Sequence, residues 1–414
     1  MPPSARNGSR CNDHDRFSPT PEQEQLRKLT TQLMERYVYP AEEHLTDTWD
    51  AAAPSFFPGI ADRVLRPIQA KVKELGLWAP HMPEDAGGMG IGVVGLGLMN
   101  EIIGRSPLGP VSFGCQAPDA GNCEILHMYG TEEQKRAWLL PNVAGEIRSC
   151  FSMTEPEVSG ADPTNLQTTA MLDGDEWMIN GHKWFTSGAI GASFAIVMAK
   201  TEPHAPTPHD RFSMIVVPLP SAAVTIRPVR TMGHTVEGGG HCEVRYENCR
   251  VPRQNLLGPR GAGFKIAQSR LGPGRIQHCM RWLGVAGRAM DLMCRHVVGR
   301  EAFGSPLAEK QTVQNWIADS RAEMEAARLL TLQAAWKMDQ KLDWRVDVSL
   351  IKFFGAKVLH DVIDRAIQAH GAMGVSGETP LEMFYRSARA ARIYDGPDEV
   401  HRMVVARRIL RDYR

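Results

Sequence analysis

The stretch FSMTEP, at residues 151–156, marks the point where the pattern of this 414-residue chain changes from helical to extended. Beyond it, β-branched and aromatic residues cluster in short runs at 171–179, 194–200, 212–218, 224–229 and 242–246. Turn-forming residues interrupt or separate these runs at 173–175, 180–181, 202–210 and 237–240. Short strands at this spacing are typical of a small barrel or sandwich. We therefore predict a middle β-barrel domain at residues 149–258.

The residues before this stretch have a helical pattern. The motif TPEQ at 20–23 predicts a capping box at the start of a first helix. That helix should end near Tyr39, because the residue before a proline resists the helical conformation. Helical patterning returns at 63–75 and 93–103, so we predict an N-terminal α-helical domain at residues 18–148.

Beyond residue 258 the helical period returns. Hydrophobic residues recur at steps of three and four along 276–297, 313–338 and 354–366, and a last helix is predicted at 399–411. Apolar stripes of this width are typical of helix bundles. We predict a C-terminal four-helix bundle at residues 259–414. The predicted fold class is therefore α+β multidomain, with a barrel between two helical domains.

The composition excludes several classes of protein. Lys plus Arg and Asp plus Glu both number 47, so the formal net charge is zero and no strong basic field is available for nucleic acid. The 8 cysteines form no CxxC pair, which argues against structural zinc and favours reduced thiols in a cytosolic-type compartment. No stretch is apolar enough to span a bilayer. We expect a cytoplasmic protein, or one of the mitochondrial matrix or peroxisome in a eukaryote, with no metal and no nucleic-acid partner.

A glycine motif at residues 90–95, GIGVVG, matches the GxGxxG pattern of dinucleotide-binding proteins. That pattern needs a β-strand directly before it, within a βαβ unit. The preceding residues 81–88, HMPEDAGG, are typical of a loop. We therefore predict a glycine-rich entry into a helix and no Rossmann site.

Five short segments indicate a common chemistry. They are FSMTEP followed by SGAD, NGHKWFTSG at 180–188, REAFG at 300–304, QAHGAMG at 368–374 and YDGPDEV at 394–400. In order and spacing they resemble the acyl-CoA dehydrogenase family, and the resemblance runs from about Ser18 to Leu410. LGPGRI at 271–276 and HCMR at 278–281 resemble one subgroup, the dehydrogenase part of kinase-fused members. The fold of that family is the one predicted above.

The resemblance implies an FAD-dependent reaction on an acyl-CoA thioester. A base removes the α-proton, the β-hydrogen passes as hydride to flavin N5, and the product is a trans-2-enoyl thioester. The base position falls on Asp395, where most members have Glu, and Gly396 would let the backbone approach the thioester. Some members place the base at the position of Gly274, which has no side chain. From the residues alone, Asp395 or Asp398 could instead cap the following helix.

The resemblance also implies contacts residue by residue. Positions that meet the flavin of the same subunit are Met153, Thr154, Trp184 and Thr186. Positions that reach the FAD of a neighbouring subunit are Arg300, Phe303, Gln311, Gln368 and Ala372. Positions on the substrate or CoA side are Ser159, Arg275 and Tyr394, although Arg275 could equally be a surface residue on a helix. Because FAD would bridge subunits, we expect a homotetramer, with a dimer as second choice.

The implied partners are an acyl-CoA substrate and electron-transfer flavoprotein. The subgroup suggests 4-hydroxyacyl or 4-phosphoacyl chains, or long or branched chains. A flavin oxidase of the same fold, similar to nitroalkane oxidase, which also uses Asp as its base, is one alternative. A flavin-free binding protein is another. Glu399, where many relatives have Gln, has no assigned role.

Overall fold

The computed structural model describes residues 19–45, 60–232 and 240–414, and its elements follow the predicted order of helices, strands and helices. The first helices are α1 Pro21–Leu33, α2 Tyr39–Ala41, α3 Asp62–Glu74, α4 Gly92–Ile103, α5 Gly109–Ser112, α6 Asp119–Tyr129, α7 Glu132–Gln134 and α8 Leu140–Val143. The strands of the large sheet are β1 Ser149–Ser152, β2 Thr169–Asp173, β3 Glu176–Lys183, β4 Phe194–Lys200, β5 Phe212–Pro218, β6 Val224–Pro228, β7 Cys242–Pro252 and β8 Leu256–Leu257. The later elements are α9 Gly263–Gly299, the hairpin β9 Glu301–Ala302 and β10 Ser305–Pro306, then α10 Gln311–Asp339, α11 Arg345–His370, α12 Leu381–Arg389 and α13 Asp398–Leu410. This order confirms the predicted α+β fold class.

The first helix begins as predicted and ends later than predicted. Thr20 and Gln23 form both hydrogen bonds of the capping box. The prediction that the helix ends at Tyr39 is wrong, because a π turn at Met34–Val38 leads directly into α2, which contains Pro40. Hydrogen bonds of a π turn span one more residue, so the widened turn accommodates a proline that lacks a backbone donor.

The glycine motif at residues 90–95 forms a helix entry, as predicted. Gly90 and Gly92 have φ angles of +63° and +68°, and α4 begins at Gly92 after a loop that contains one short 3₁₀ turn. The first free amides of α4, on Val93 and Val94, donate to the two carboxylate oxygens of Asp339 at 2.7 and 3.0 Å. The anion at this helix N-terminus is therefore a side chain from the end of α10.

Asp339→Ala is expected to lower the free energy of unfolding by about 1 kcal/mol, because two amides of α4 lose their acceptor. Denaturant unfolding followed by tryptophan fluorescence measures the loss. Asp319→Ala is the matched control, since Asp319 is exposed on the same helix, and its effect should stay within about 0.5 kcal/mol. Equal losses in the two variants would contradict a capping role for Asp339.

The eight strands form one sheet, in which β4 and β5 are buried on both faces. Its hydrogen-bonded order is β6-β7-β3-β2-β4-β5-β8, and β1 pairs in parallel with β4. Along β4, Ala195 and Val197 join a core that also holds Trp177 of β3 and Val244 of β7. Because distant strands share this core, the sheet curls around it, as the predicted barrel requires. The alternating residues of β4, such as Ile196, pack against the N-terminal helices instead.

The predicted turn at Asn180-Gly181 is wrong. Both residues lie inside β3, where the register against β7 shifts between Ile179 and Gly181. A Cβ on Gly181 would collide with Thr168, so glycine is needed for close packing at a bulge. The turn predicted at 237–240 falls outside the described residues except for Gly240.

The helices after the sheet pack as a bundle around one core. Met280 of α9, Ala334 of α10 and Val362 of α11 belong to the same buried cluster. The short helix α12 was not predicted, although Leu381 and Phe384 place an apolar stripe on it at a spacing of three. No helix in the described ranges is long and apolar enough to cross a membrane.

Candidate active site

Asp395 lies in the loop between α12 and α13, on a backbone that is held in an unusual conformation. Its φ angle is +54°, a left-handed value that aspartate tolerates better than most residues. Its carbonyl accepts hydrogen bonds from Arg275 Nε at 3.0 Å and His401 Nε2 at 3.1 Å. Lys352 Nζ donates to the next carbonyl, on Gly396, at 3.2 Å. Three helices, α9, α11 and α13, therefore fix the position of this loop.

Gly396 is required by packing within the chain. Its φ angle is +103°, and a Cβ built on it would lie 2.6 Å from His401 Nε2. A side chain here would displace His401, which holds the carbonyl of Asp395. The structure thus gives Gly396 a role that differs from the predicted approach to a thioester.

The side chain of Asp395 faces His278 of α9. His278 Nε2 lies 3.3 Å from Asp395 Oδ2, and the two side chains are 21% and 18% exposed. No side chain caps α13, and Asp398 pairs with Arg392 at 2.7 Å. The alternative that Asp395 or Asp398 caps the following helix is therefore wrong.

Charges around Asp395 favour its ionised form. Burial raises the pKa of Asp395, but His278, Arg270, Arg275 and Lys352 together outweigh burial, so the pKa is lowered. Burial also lowers the pKa of His278 to about 4, which makes this imidazole neutral at pH 7.

One face of α9 forms a polar wall beside Asp395. The residues that share it, at helical spacing, are Arg270, Gln277, His278 and Arg281. Arg270 donates to Asn122 of α6 at 3.2 Å, and Arg281 donates to Asn100 of α4 at 2.6 Å. A Cβ on Gly274, which lies between these residues, would meet no atom within 4 Å. The wall therefore borders open space next to the carboxylate.

Two buried side chains near this wall have polar atoms without hydrogen-bond partners among the described residues. Glu124 accepts from Gln277 at 3.1 Å through one oxygen, while its other oxygen is unpaired. Burial raises the pKa of Glu124 to about 8, so it is largely protonated at pH 7. Both ring nitrogens of His81 are unpaired, and burial together with Arg281 lowers the pKa of His81 to about 3. Polar groups left unpaired in this way are unusual and commonly mark a ligand or water site.

Two of the predicted substrate-side residues have internal partners. Arg275 is half-buried against the backbone of Asp395, so its interpretation as a surface residue is wrong. The phenol oxygen of Tyr394 accepts from Trp282 Nε1 at 2.8 Å, and burial raises the pKa of Tyr394. Ser159 lies on the exposed loop after β1, where its hydroxyl accepts from the amide of Ala161.

The structure brings the predicted flavin-contacting segments of the barrel together. The carbonyl of Thr154 accepts from the amide of Trp184 at 2.8 Å, and the hydroxyl of Thr154 donates to the carbonyl of Trp184 at 2.6 Å. Met153 is half-buried beside them, and the indole of Trp184 is 37% exposed. Thr186 is fully buried with its hydroxyl 3.3 Å from Ser152 Oγ, so its contact with flavin N5 stays a prediction.

A buried ion pair is hydrogen-bonded to the backbone of these segments. Lys183 Nζ lies 2.9 Å from Glu155 Oε1 and also donates to the carbonyl of Met153 at 2.8 Å. Glu155 accepts two further bonds, from the amides of Gln167 and Thr168 at 2.6 and 2.9 Å. Burial lowers the pKa of Lys183 to about 8. Sequence reasoning missed this pair, although both members lie inside the quoted motifs.

The residues predicted to reach a neighbouring subunit are exposed at one end of the bundle. They are Arg300, Phe303, Gln311, Gln368 and Ala372. The ends of α9 and α11 meet there, with the rings of His296 and His370 4.2 Å apart. Phe303 is 100% exposed at the tip of the β9–β10 hairpin. An apolar ring in this position suits a contact with another molecule.

Comparisons with known proteins agree with this geometry. The N-terminal, middle and C-terminal domain models of acyl-CoA dehydrogenase match residues 20–146, 150–249 and 261–410. FadE2 of Mycobacterium tuberculosis, which is assigned to the acyl-CoA dehydrogenases, is 46% identical over 92% of this chain and 93% of its own length. The chain belongs to the acyl-CoA dehydrogenase family. The family's activity and its cofactor, FAD, therefore apply to this chain.

Two further acyl-CoA dehydrogenase relatives show how the chain compares in length and shape. Acyl-CoA dehydrogenase family member 10 of Mus musculus is 44% identical over 94% of this chain, which spans 37% of that longer protein. A Mycobacterium abscessus structure assigned to the acyl-CoA dehydrogenases has a TM-score of 0.90 and 38% identity, with 96% of this chain and 100% of that one covered.

The residues of the barrel site fit FAD. Trp184 exposes an aromatic face, and the backbone of Met153 and Thr154 is fixed beside it by the paired hydrogen bonds. A planar ring can stack on such a face while adjacent hydroxyl and amide groups meet its polar edge. The described residues contain no cluster of His, Cys, Asp and Glu that could hold a metal ion.

Proposed function

We propose that this chain removes the α-proton of an acyl-CoA thioester with Asp395 and forms a trans-2-enoyl-CoA. The observation that carries the proposal is the setting of Asp395, a partly open carboxylate on a backbone held by Arg275, Lys352 and His401. Proton transfer requires a base within hydrogen-bond distance of the reacting atom. A fixed backbone keeps that distance constant.

The residues around Asp395 suit it to act as this base. His278, Arg270, Arg275 and Lys352 lower the pKa of Asp395, so the carboxylate is ionised before substrate binds. An acyl chain in the adjacent space would displace water, and desolvation would then raise the pKa of Asp395 and strengthen it as a proton acceptor. FAD, when bound, supplies the hydride acceptor that amino-acid side chains cannot provide.

We further propose that the acyl chain carries a polar group, with 4-hydroxyacyl and 4-phosphoacyl chains preferred over long or branched alkyl chains. The wall formed by Arg270, Gln277 and Arg281 beside Asp395 is polar. A chain that carries a hydroxyl or phosphate can hydrogen-bond to the arginines of this wall, whereas an alkyl chain cannot.

The assembly and the electron acceptor are also proposals. The exposed end of the bundle around Phe303 and Gln368 supports a homotetramer, with a dimer second, in which this end meets the FAD of a neighbour. Electron-transfer flavoprotein is the proposed acceptor. A monomer that retains FAD, measured by gel filtration with light scattering, would contradict the proposed assembly.

Anaerobic titration of the flavin absorbance with a panel of acyl-CoA thioesters tests the function. The panel pairs a 4-phosphoacyl and a 4-hydroxyacyl chain with the unsubstituted chain of equal length, and adds long and branched chains. We expect bleaching, with a second-order rate about tenfold higher for a 4-substituted chain than for its unsubstituted partner. Equal rates within each pair would remove the proposed preference and leave the dehydrogenase activity in place.

The same titration distinguishes the dehydrogenase from the two alternative functions, a flavin oxidase and a flavin-free binding protein. Bleaching by nitroalkanes, rapid reoxidation by oxygen and indifference to thioesters would favour a flavin oxidase similar to nitroalkane oxidase. A purified protein that is colourless and stays so after incubation with FAD would favour the flavin-free binding protein.

A further inference from the structure

One imidazole lies directly beside the proposed base. His278 Nε2 lies 3.3 Å from Asp395 Oδ2, just beyond the usual hydrogen-bond range of about 2.7–3.2 Å. Both side chains keep accessible surface beside the open space at Gly274. The carboxylate and the imidazole therefore border the same space, and His278 is a direct neighbour of the proposed reacting oxygen.

The ring of His278 is itself held in place. It stacks on Trp282, with centroids 6.3 Å apart and planes inclined by 23°, and it packs against Tyr394 at 5.1 Å. Trp282 and Tyr394 are joined by a hydrogen bond of 2.8 Å, so the two rings form one rigid support. An imidazole held in this way can present its Nε2 in one direction only.

We propose that His278 is a positioning residue for Asp395, which donates Nε2–H to Oδ2 and leaves Oδ1 as the oxygen that accepts the substrate proton. The inference rests on the proposed role of Asp395 as the base. In the proton transfer, the bond between Cα and hydrogen breaks, the Oδ1–H bond forms, and the electron pair stays with the substrate. His278 remains neutral throughout and exchanges no proton.

The protonation state of His278 supports a directional bond. Because burial lowers its pKa to about 4, the ring is neutral at pH 7 and carries one N–H. A neutral donor orients a carboxylate without adding a second counter-ion. Other charged and titratable groups interact with Asp395 or its carbonyl: Arg270, Arg275, Lys352, His401, Cys279 and Tyr394. Arg281 also acts on His278.

The short side chain of Asp395 explains why it would need a contact with His278. The left-handed backbone at residue 395 favours aspartate over longer side chains. A short carboxylate surrounded by Arg270 and Arg275 would turn toward the nearer cation unless another group fixed its orientation. His278 faces Asp395 from the side of the open space and can supply that constraint.

Two variants of similar size separate the hydrogen bond from space-filling. His278→Gln keeps an N–H donor at the position of Nε2, and His278→Met removes it. With an acyl-CoA that bleaches the wild type, we expect His278→Met to lower the rate of flavin reduction about tenfold or more, with substrate affinity changed less than threefold. His278→Gln should recover most of the rate. Flavin content and circular dichroism establish that both variants are folded.

The pH profile provides a readout that packing alone would not move. A hydrogen bond to the ionised carboxylate lowers its pKa, so removing the donor raises that pKa. The acid limb of the reduction rate should therefore move to higher pH in His278→Met and stay near the wild-type position in His278→Gln. Exchange of the substrate α-protons with deuterium, followed by NMR, should show the same shift without requiring hydride transfer.

Each outcome decides the inference. Identical profiles in the wild type and His278→Met, or equal losses in the Met and Gln variants, would overturn it while the proposed function stands. A wild type that neither bleaches nor exchanges α-protons with any acyl-CoA would overturn both. If His278→Met loses its flavin, His278→Asn replaces it, because that amide ends short of the Nε2 position.

Discussion

Asp395→Asn is expected to slow flavin reduction by acyl-CoA about 100- to 10,000-fold, because an amide cannot accept the α-proton. Asparagine has the same shape and tolerates the left-handed backbone, so the bonds from Arg275 and His401 to the carbonyl should persist. Stopped-flow absorbance under anaerobic conditions measures the rate. Flavin content should equal that of the wild type.

A matched control tests whether the effect of Asp395→Asn is specific to this position. Asp364 is exposed on α11, remote from the loop, and Asp364→Asn should reduce its flavin at the wild-type rate. Asp395→Glu should be slower than the wild type, since the longer side chain is disfavoured at positive φ and crowds His278. An Asp395→Asn enzyme with normal turnover would refute the assignment of the base.

Lys183→Met is expected to lower the free energy of unfolding by about 3–5 kcal/mol, because it leaves Glu155 buried without its counter-ion. Both side chains have essentially no exposed surface, so water cannot replace the lost partner. The bond from Lys183 to the carbonyl of Met153 is lost as well, and FAD retention should fall with it. Urea unfolding followed by fluorescence, and flavin release on gel filtration, measure the two effects.

An exposed pair in the same barrel provides the control for Lys183→Met. Arg250 lies 2.7 Å from Asp173, but both side chains are solvent-exposed. Arg250→Met should cost less than about 1 kcal/mol. Adding Glu155→Gln to Lys183→Met should recover part of the loss, because the remaining buried charge is removed. Similar losses in the Lys183 and Arg250 variants would show that burial does not set the cost.

The sequence predicts most of the fold because its local signals agree with the final packing. The strands at 194–200 and 212–218 match the structure residue for residue, since turn residues bound each run. Asn180-Gly181 failed as a turn because the same dipeptide also suits a bulge, and packing against Thr168 decides between them. Pro40 failed as a helix end because nothing in the local sequence announces the π turn before it.

The site is less accessible to sequence reasoning than the fold. Asp395 stands in a recognisable segment, but Arg275 and His278 reach it from more than 100 residues away. Their contacts depend on how α9 is rotated against the α12–α13 loop, and periodicity does not give that rotation. The burial of Thr186 against Ser152 is likewise a consequence of tertiary packing.

The attachment of the Asp395 loop to three helices separates the position of the base from the composition of the polar wall beside it. The loop is tied to α9, α11 and α13, whereas the polar wall of α9 is held by Asn100 of α4 and Glu124 of α6 through Arg281 and Gln277. Substitutions on α4 and α6 can therefore change the polar wall beside the base without moving the base itself. A change of substrate along this lineage would need no compensating change in the proton-transfer machinery, which makes the architecture readily evolvable.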